Sequence, residues 1–483
     1  MIRPSKNSRR AAVLAMLMAL PLAACGNTTN YYGVDPAAGT APVASQGKAK
    51  NVILFVGDGM GISTITAARI LAGQQQGLDG EEYSLSFEKF PDTALVKTYN
   101  TDAQVPDSAG TATALNSGSK TRMGVLNVAP EPARGDCAAA QGQNLPLIAD
   151  EAHAKGKAVG IVTTTRLTHA TPAAVYSHSP DRDWEADSDI PASQQGLGCT
   201  DIAAQLVDFP FDLAFGGGSR NFYGSAKGGK RSDPNADLPA RWAARTGGTV
   251  VTDTASMRRA DLDEPVLGLF SPSHMTYQLD RTDETKEPTL TEMTAEAIRR
   301  LSSDPDGFYL MIEGGRIDHA HHEGRAGYAL EETVELARAV QYALENTDPD
   351  ETLILVTADH SHVFTMAGYP KRGNPILGLV YPPAGGDEEH PGGTEGPMLA
   401  RDGQPYTTLG YGNGPGAVQG ERGMPETGPN ATQQSLIPLG SETHGGEDVA
   451  LFGTGPGAFR VHGVIEQNLV YDIMRAAYGW EEE

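Results

Sequence analysis

Five short apolar runs punctuate the chain: Val52–Val56, Ala158–Val162, Phe308–Ile312, Leu353–Val356 and Val449–Phe452. Each has the length and texture of a strand buried on both faces of a parallel sheet. Helical patterns lie between them, and such alternation predicts an α/β fold. The expected architecture is a three-layer sandwich around a large, mostly parallel sheet, in one domain spanning 51–478. An amphipathic helix is predicted over Val464–Tyr478, whereas residues 220 to 260 are weakly patterned. From about 368 to 440 the texture changes to Gly, Pro and polar residues. So long an irregular stretch inside a compact chain reads as an inserted subdomain, with the core resuming near Glu442.

The residues that follow the runs carry the chemistry. Val56 leads into Gly57-Asp58-Gly59, Val162 into Thr163–Arg166 and then His169-Ala170-Thr171. Ile312 leads into Glu313, Val356 into Thr357-Ala358-Asp359-His360-Ser361-His362, and Glu442-Thr443-His444 lies just before Val449. Open α/β sheets bind ligands beyond the C-terminal ends of their strands. Carboxylates and imidazoles recurring at that edge point to one shared site.

A nucleophile is nominated by residues 105–115. Pro106 sets an extended entry, so Asp107 and Ser108 fall where a helix begins, and Ala109–Ala114 are all small. A serine there meets free backbone N–H groups and the positive dipole end, a place suited to attack on an anionic centre. An ordinary helix cap is the competing reading of the same residues.

Metal ligands are suggested by spacing. Asp318 and His322 are four apart, so on a helix they share one face and one cation. Carboxylate plus imidazole suits zinc, and His444, between small neighbours, is the natural third ligand. Asp359 and His360 offer a second such pair with Asp58 as partner. Glu313, Thr171 and Asp58 present only oxygens, as magnesium prefers. His319, His321 and His362 are expected near the ligands or at the surface; His153, His178, His274, His390 and His462 at the surface or in packing.

The formal charge of −24 includes +4 in the first 24 residues, leaving −28 without them. So acidic a protein excludes nucleic acid as a partner. It also repels anionic substrates unless bound cations draw them in. Lys6, Arg9 and Arg10 precede the apolar run Ala11–Leu20, the pattern of an export signal over residues 1–24. Leu22-Ala23-Ala24-Cys25 closes it like a bacterial lipoprotein processing box, so Cys25 is expected to carry lipid and residues 25–50 to form a tether. The expected location is a bacterial membrane, facing the periplasm or cell surface. Cys137 and Cys199 are most simply a disulfide in an exported protein, with two free thiols as the alternative.

Taken together, Asn51–Gly61, Pro106–Gly110, Thr163–Arg166 with His169–Pro172, Glu313–His322, Thr357–His362 and Glu442–Asp448 closely resemble the alkaline phosphatase family, in its order and spacing, over roughly 50–475. The resemblance implies a phosphomonoesterase with Ser108 as nucleophile. It implies one zinc on Asp318, His322 and His444 and a second on Asp58, Asp359 and His360. Magnesium would take Asp58, Thr171 and Glu313, and Arg182 matches the arginine that clamps phosphate. His169 marks the branch with histidine beside the magnesium, and Cys137 and Cys199 match a disulfide of that branch. The 368–440 insertion matches a crown that overhangs a homodimer. A calcium-type fourth site in that branch needs glutamate after Leu-Phe; Ser271 stands there, which counts against it. Rival readings are a phosphodiesterase or other two-metal enzyme of the same superfamily, and a surface metal-binding lipoprotein without activity. Sulfatases are set aside because their Cys/Ser-x-Pro-x-Arg motif is absent around Ser108.

Overall fold

The computed structural model describes residues 47–385 and 396–480. The expected signal, Cys25 and the tether up to residue 46 lie outside the described residues, as does His390. In chain order the first eight strands are β1 (Asn51–Gly57), β2 (Asp92–Lys97), β3 (Ala158–Arg166), β4 (Leu213–Gly217), β5 (Thr249–Val251), β6 (Val266–Leu269), β7 (Phe308–Gly314) and β8 (Thr352–Ala358). Short strands follow: β9 (Ser361–His362), β10 (Phe364–Met366), β11 (Leu409–Gly414), β12 (Ser435–Pro438) and β13 (His444–Gly445). Two more, β14 (Val449–Thr454) and β15 (His462–Glu466), complete the set.

Ten of these form the central sheet, in the order β15-β2-β14-β8-β1-β7-β3-β4-β6-β5. Its middle strands are buried almost throughout because helices cover both faces. Helices Ile62–Gln75, Leu290–Leu301 and Ala326–Asn346 pack together on one side. Ser108–Ser117, Ile148–Ala154 and Leu469–Tyr478 pack on the other. The three-layer α/β reading therefore holds.

Two local expectations are corrected. The run at Val449 is antiparallel to both neighbours, β8 and β2, not parallel. The predicted helix over Val464–Tyr478 begins at Leu469; Val464 and Ile465 belong to β15, an edge strand parallel to β2. The weakly patterned 220–260 region contains a capped helix, Leu238–Thr246, β5, and helix Thr254–Arg259. Between β10 and β13 the described residues add nothing to the central sheet; β10-β11-β12 form a separate three-stranded sheet. No described helix is long and apolar enough to cross a membrane.

Register delivers the polar residues to one edge. Gly57 lies between Gly314 and Ala358, so Asp58 and Asp359 leave adjacent strands side by side. Glu313 pairs with Val56 on one side and Thr163 on the other. Because β14 runs backwards, the residues before it, His444 included, arrive at this same edge.

Candidate metal and phosphate site

Asp107, in extended backbone, caps helix Ser108–Ser117 by accepting from Gly110 N at 3.2 Å. All ten residues of that helix are buried, and their small side chains permit it. Ser108 Oγ lies 3.2 Å from His360 Nε2. His360 is fully buried, and burial holds its pKa well below the usual imidazole range, so the ring is neutral. Its Nδ1–H donates to Ser361 O at 3.2 Å, which leaves Nε2 without a proton. That lone pair faces Asp58 Oδ1 at 3.4 Å and Asp359 Oδ2 at 3.3 Å.

The second cluster repeats the arrangement. His322 Nδ1 donates to Glu442 O at 2.6 Å, and His444 Nδ1 to Pro106 O at 2.8 Å. Both Nε2 atoms thereby turn inward, 3.1 Å from each other and 3.3 Å from Asp318 Oδ1. Lone pairs so placed repel one another unless a cation lies between them. Asp318 and His322 do share a helical face, on helix Arg316–His322.

The oxygen-rich end is equally short of partners. Glu313 Oε1, both oxygens of Asp58 and Thr171 Oγ1 are buried without hydrogen-bond partners among the described residues. Burial pushes the Glu313 carboxyl up to about 7 and, with Asp318 nearby, Asp359 up to about 6. Burial and the charges of Asp359, Asp318 and Glu313 raise Asp58 as well. Such groups ionise readily only when a cation joins them. The donor atoms of Asp58, Asp359 and His360 lie within 4.8 Å of one another, as do those of Asp58, His169 and Glu313. The residues present therefore fit divalent cations. Around Ser271 no comparable cluster of His, Cys, Asp and Glu forms among the described residues.

Arg182 Nη1 donates to Asp107 Oδ2 at 2.9 Å and Nη2 to His169 Nε2 at 3.2 Å. The imidazole of His169 accepts that bond because burial and Arg182 hold its pKa well below normal. Cys137 and Cys199 are joined in a disulfide.

Several participants were not singled out by sequence reasoning. Asp107 is one; it carries Arg182 besides its cap. Glu442 is another. His362, expected near the ligands or at the surface, lies near the ligands: it is buried and donates to Asp318 Oδ1 at 2.8 Å and to Glu442 Oε2 at 2.5 Å. Burial alone would lower its pKa, but those two hydrogen bonds outweigh it and raise it to about 9. Gly59, at φ +73°, admits this ring: a Cβ there would lie 2.4 Å from His362 Nε2. His321 is buried between Thr64 and Tyr411. His319 and His274, half-buried, pack ring against ring beside His169.

Fold and donor set together define a metal-dependent hydrolase whose serine faces a buried carboxylate–imidazole cluster. The chain belongs to the alkaline phosphatase family, whose profile matches residues 49–480. It is 48% identical over 459 residues to the tissue-nonspecific alkaline phosphatase of Gallus gallus, covering 90% of this chain and 85% of that one. The Homo sapiens isozyme is 46% identical, with 89% and 83% covered. An alkaline phosphatase of Gadus morhua is 44% identical, with 90% and 92% covered. Among solved structures, the Thermus thermophilus alkaline phosphatase superposes with a TM-score of 0.66 at 25% identity, covering 91% of this chain and 93% of that one. The alkaline phosphatase of the Antarctic bacterium TAB5 has the same fold, with a TM-score of 0.62 at 22% identity and 91% and 100% coverage. The activity is hydrolysis of phosphomonoesters, with metal cofactors.

Proposed function

We propose that the chain hydrolyses phosphomonoesters by two displacements at phosphorus through a phosphoserine on Ser108. The observation that carries this reading is Ser108 Oγ, first in its helix and 3.2 Å from an unprotonated His360 Nε2 that faces two carboxylates. Asp318, His322 and His444 would hold one zinc, Asp58, Asp359 and His360 a second, and Asp58, Thr171 and Glu313 a magnesium, with His169 beside it. Bound there, the ions supply Lewis-acid charge that lowers the pKa of hydroxyl groups and offsets the phosphate charge. In the first displacement Ser108 Oγ, its proton lost to solvent, bonds to phosphorus as the ester P–O bond breaks. The departing alkoxide takes a proton from solvent and leaves as the alcohol. In the second, water bonds to phosphorus as the Oγ–P bond breaks, releasing inorganic phosphate. Arg182 spends two N–H groups on Asp107 and His169, and its remaining N–H groups grip phosphate oxygens. Helix N–H groups behind Ser108 add to that charge.

The export signal, lipid on Cys25 and attachment to a bacterial membrane belong to this reading on the residues of the N-terminus alone. A homodimer is supported by the exposed apolar side chains Tyr369, Leu399, Met424, Leu436 and Ile437, all on the segment between β10 and β13.

The test is hydrolysis of a chromogenic phosphomonoester beside the matching diester across about pH 6 to 11, with and without chelator. Chelator-sensitive monoesterase activity and an acid-stable phosphoprotein that vanishes in Ser108→Ala support the reading. Preferential diester cleavage, or phosphoprotein persisting in Ser108→Ala, refutes it.

A further inference from the structure

Residues 179–185, which carry Arg182, form no helix or strand; neighbours hold them in place. Leu126 and Ser179 exchange backbone hydrogen bonds at 2.9 Å, and Arg182 N donates to Gly124 O at 2.9 Å. Gly135 N donates to Pro180 O at 2.9 Å. The side chain of Arg134 crosses this junction. One of its nitrogens, Nη2, donates to both Asp181 Oδ1 and Asp183 Oδ2 at 2.7 Å. Its guanidinium rests on Gly124, where a Cβ would lie 2.5 Å from Cζ. Gly124 N in turn donates to Asp107 Oδ1 at 2.9 Å, and Asp107 Oδ2 receives Arg182. One glycine thus links Arg134 to both ends of the Asp107–Arg182 pair.

We propose that Arg134 is a positioning residue for phosphate binding, holding Asp181 and Asp183, the two carboxylates that flank Arg182, away from its guanidinium. The inference rests on the role given to Arg182 above. Without Arg134, two carboxylates next to Arg182 in the chain lose their cation. They then compete with phosphate for the Arg182 guanidinium and repel an incoming dianion. The pair with Asp183 contributes little to folding, because those side chains are 40% and 76% exposed, while Asp181, at 19%, carries the larger share of any stability cost. Substrate affinity is the property at stake.

The experiment measures competitive inhibition by inorganic phosphate, together with KM and kcat, in the metal-loaded enzyme. Arg134→Gln is expected to raise the phosphate inhibition constant about 5- to 10-fold, with kcat falling far less than kcat/KM. Arg134→Lys recovers part of the loss. Adding Asp181→Asn and Asp183→Asn to Arg134→Gln restores affinity, which a merely structural role would not do. In an Arg182→Ala background Arg134→Gln has a much smaller effect, the remainder being direct repulsion of phosphate by the two carboxylates. An unchanged inhibition constant in Arg134→Gln, beside a large rise in Arg182→Ala, overturns the inference and leaves the phosphate grip standing. A joint loss of kcat, metal content and thermal midpoint without carboxylate rescue also overturns it. An inhibition constant unmoved by Arg182→Ala overturns the reading of Arg182 itself.

Discussion

His362 gives a stability prediction that one substitution isolates. Its ring is buried between Asp318 and Glu442, and its pKa stands at about 9 against an ordinary 6.5. A group raised in the folded state stabilises it fully below the unfolded pKa and ceases to do so as pH rises through the folded one. Raising it from 6.5 to about 9 corresponds to roughly 3 kcal/mol, present below pH ~6.5 and gone above pH ~9. Against a total stability of about 5–15 kcal/mol this is a large share. The perturbation is His362→Gln in chelator-stripped protein, and the assay is urea unfolding from about pH 7 to 9.5. Other buried groups titrate too: Asp58 and Glu313 are raised, His322 and His360 lowered. Asp58 and Glu313 are common to both proteins and cancel, whereas the charge of His362 helps lower His322 and His360, so theirs cancel only in part. Wild type should lose about 2–3 kcal/mol relative to the variant across that window. Parallel pH curves for the two proteins would refute the reasoning. In metal-loaded protein the difference should shrink, because a cation on Asp318 repels the proton on His362.

Metal loading should release protons at about pH 6, where Glu313 and Asp359 retain them, and fewer near pH 8.5; calorimetry in buffers of different ionisation enthalpy checks this. Reducing Cys137–Cys199, which closes a loop with a sequence separation of 62, should lower stability by roughly 4 kcal/mol in the chain-entropy model, read from urea midpoints with and without dithiol. Asp107→Ala should cost about 1 kcal/mol as a lost cap and more through a half-buried Arg182 deprived of its carboxylate. Its phosphate inhibition constant should rise more than about tenfold, as inhibition kinetics would show.

Much of the fold was legible because the middle strands are buried on both faces. Val52–Val56, Phe308–Ile312 and Leu353–Val356 therefore read as unbroken apolar runs. Strand β2 escaped because only Ala94 and Val96 are buried in it, too few for a pattern. The direction of β14 could not be read, since an apolar run carries no polarity of its own. Val464 and Ile465 looked helical because they precede the amphipathic stripe of Leu469–Tyr478. Within the site, Asp318 and His322 were readable as a pair four apart on one helix. Arg182 was reached only through family resemblance, because no local pattern marks a loop arginine. The Asp318–His362–Glu442 chain was invisible because its members meet only after β9 and β13 pair His362 with His444.

The position of β1 has a consequence for how the chain matures. It is the first described strand, yet it sits at the middle of the sheet, and its partners β7 and β8 are roughly 250 and 300 residues away in sequence. A nascent chain cannot close the sheet's centre until more than two thirds of it has been made, and contacts so distant form slowly. His444, from the last tenth of the chain, must arrive before the donor set proposed for the Asp318–His322 pair is complete. Early segments thus remain open for chaperones while nothing yet locks them shut. A cation bound at this edge would then enter last, once the sheet that carries its donors has closed.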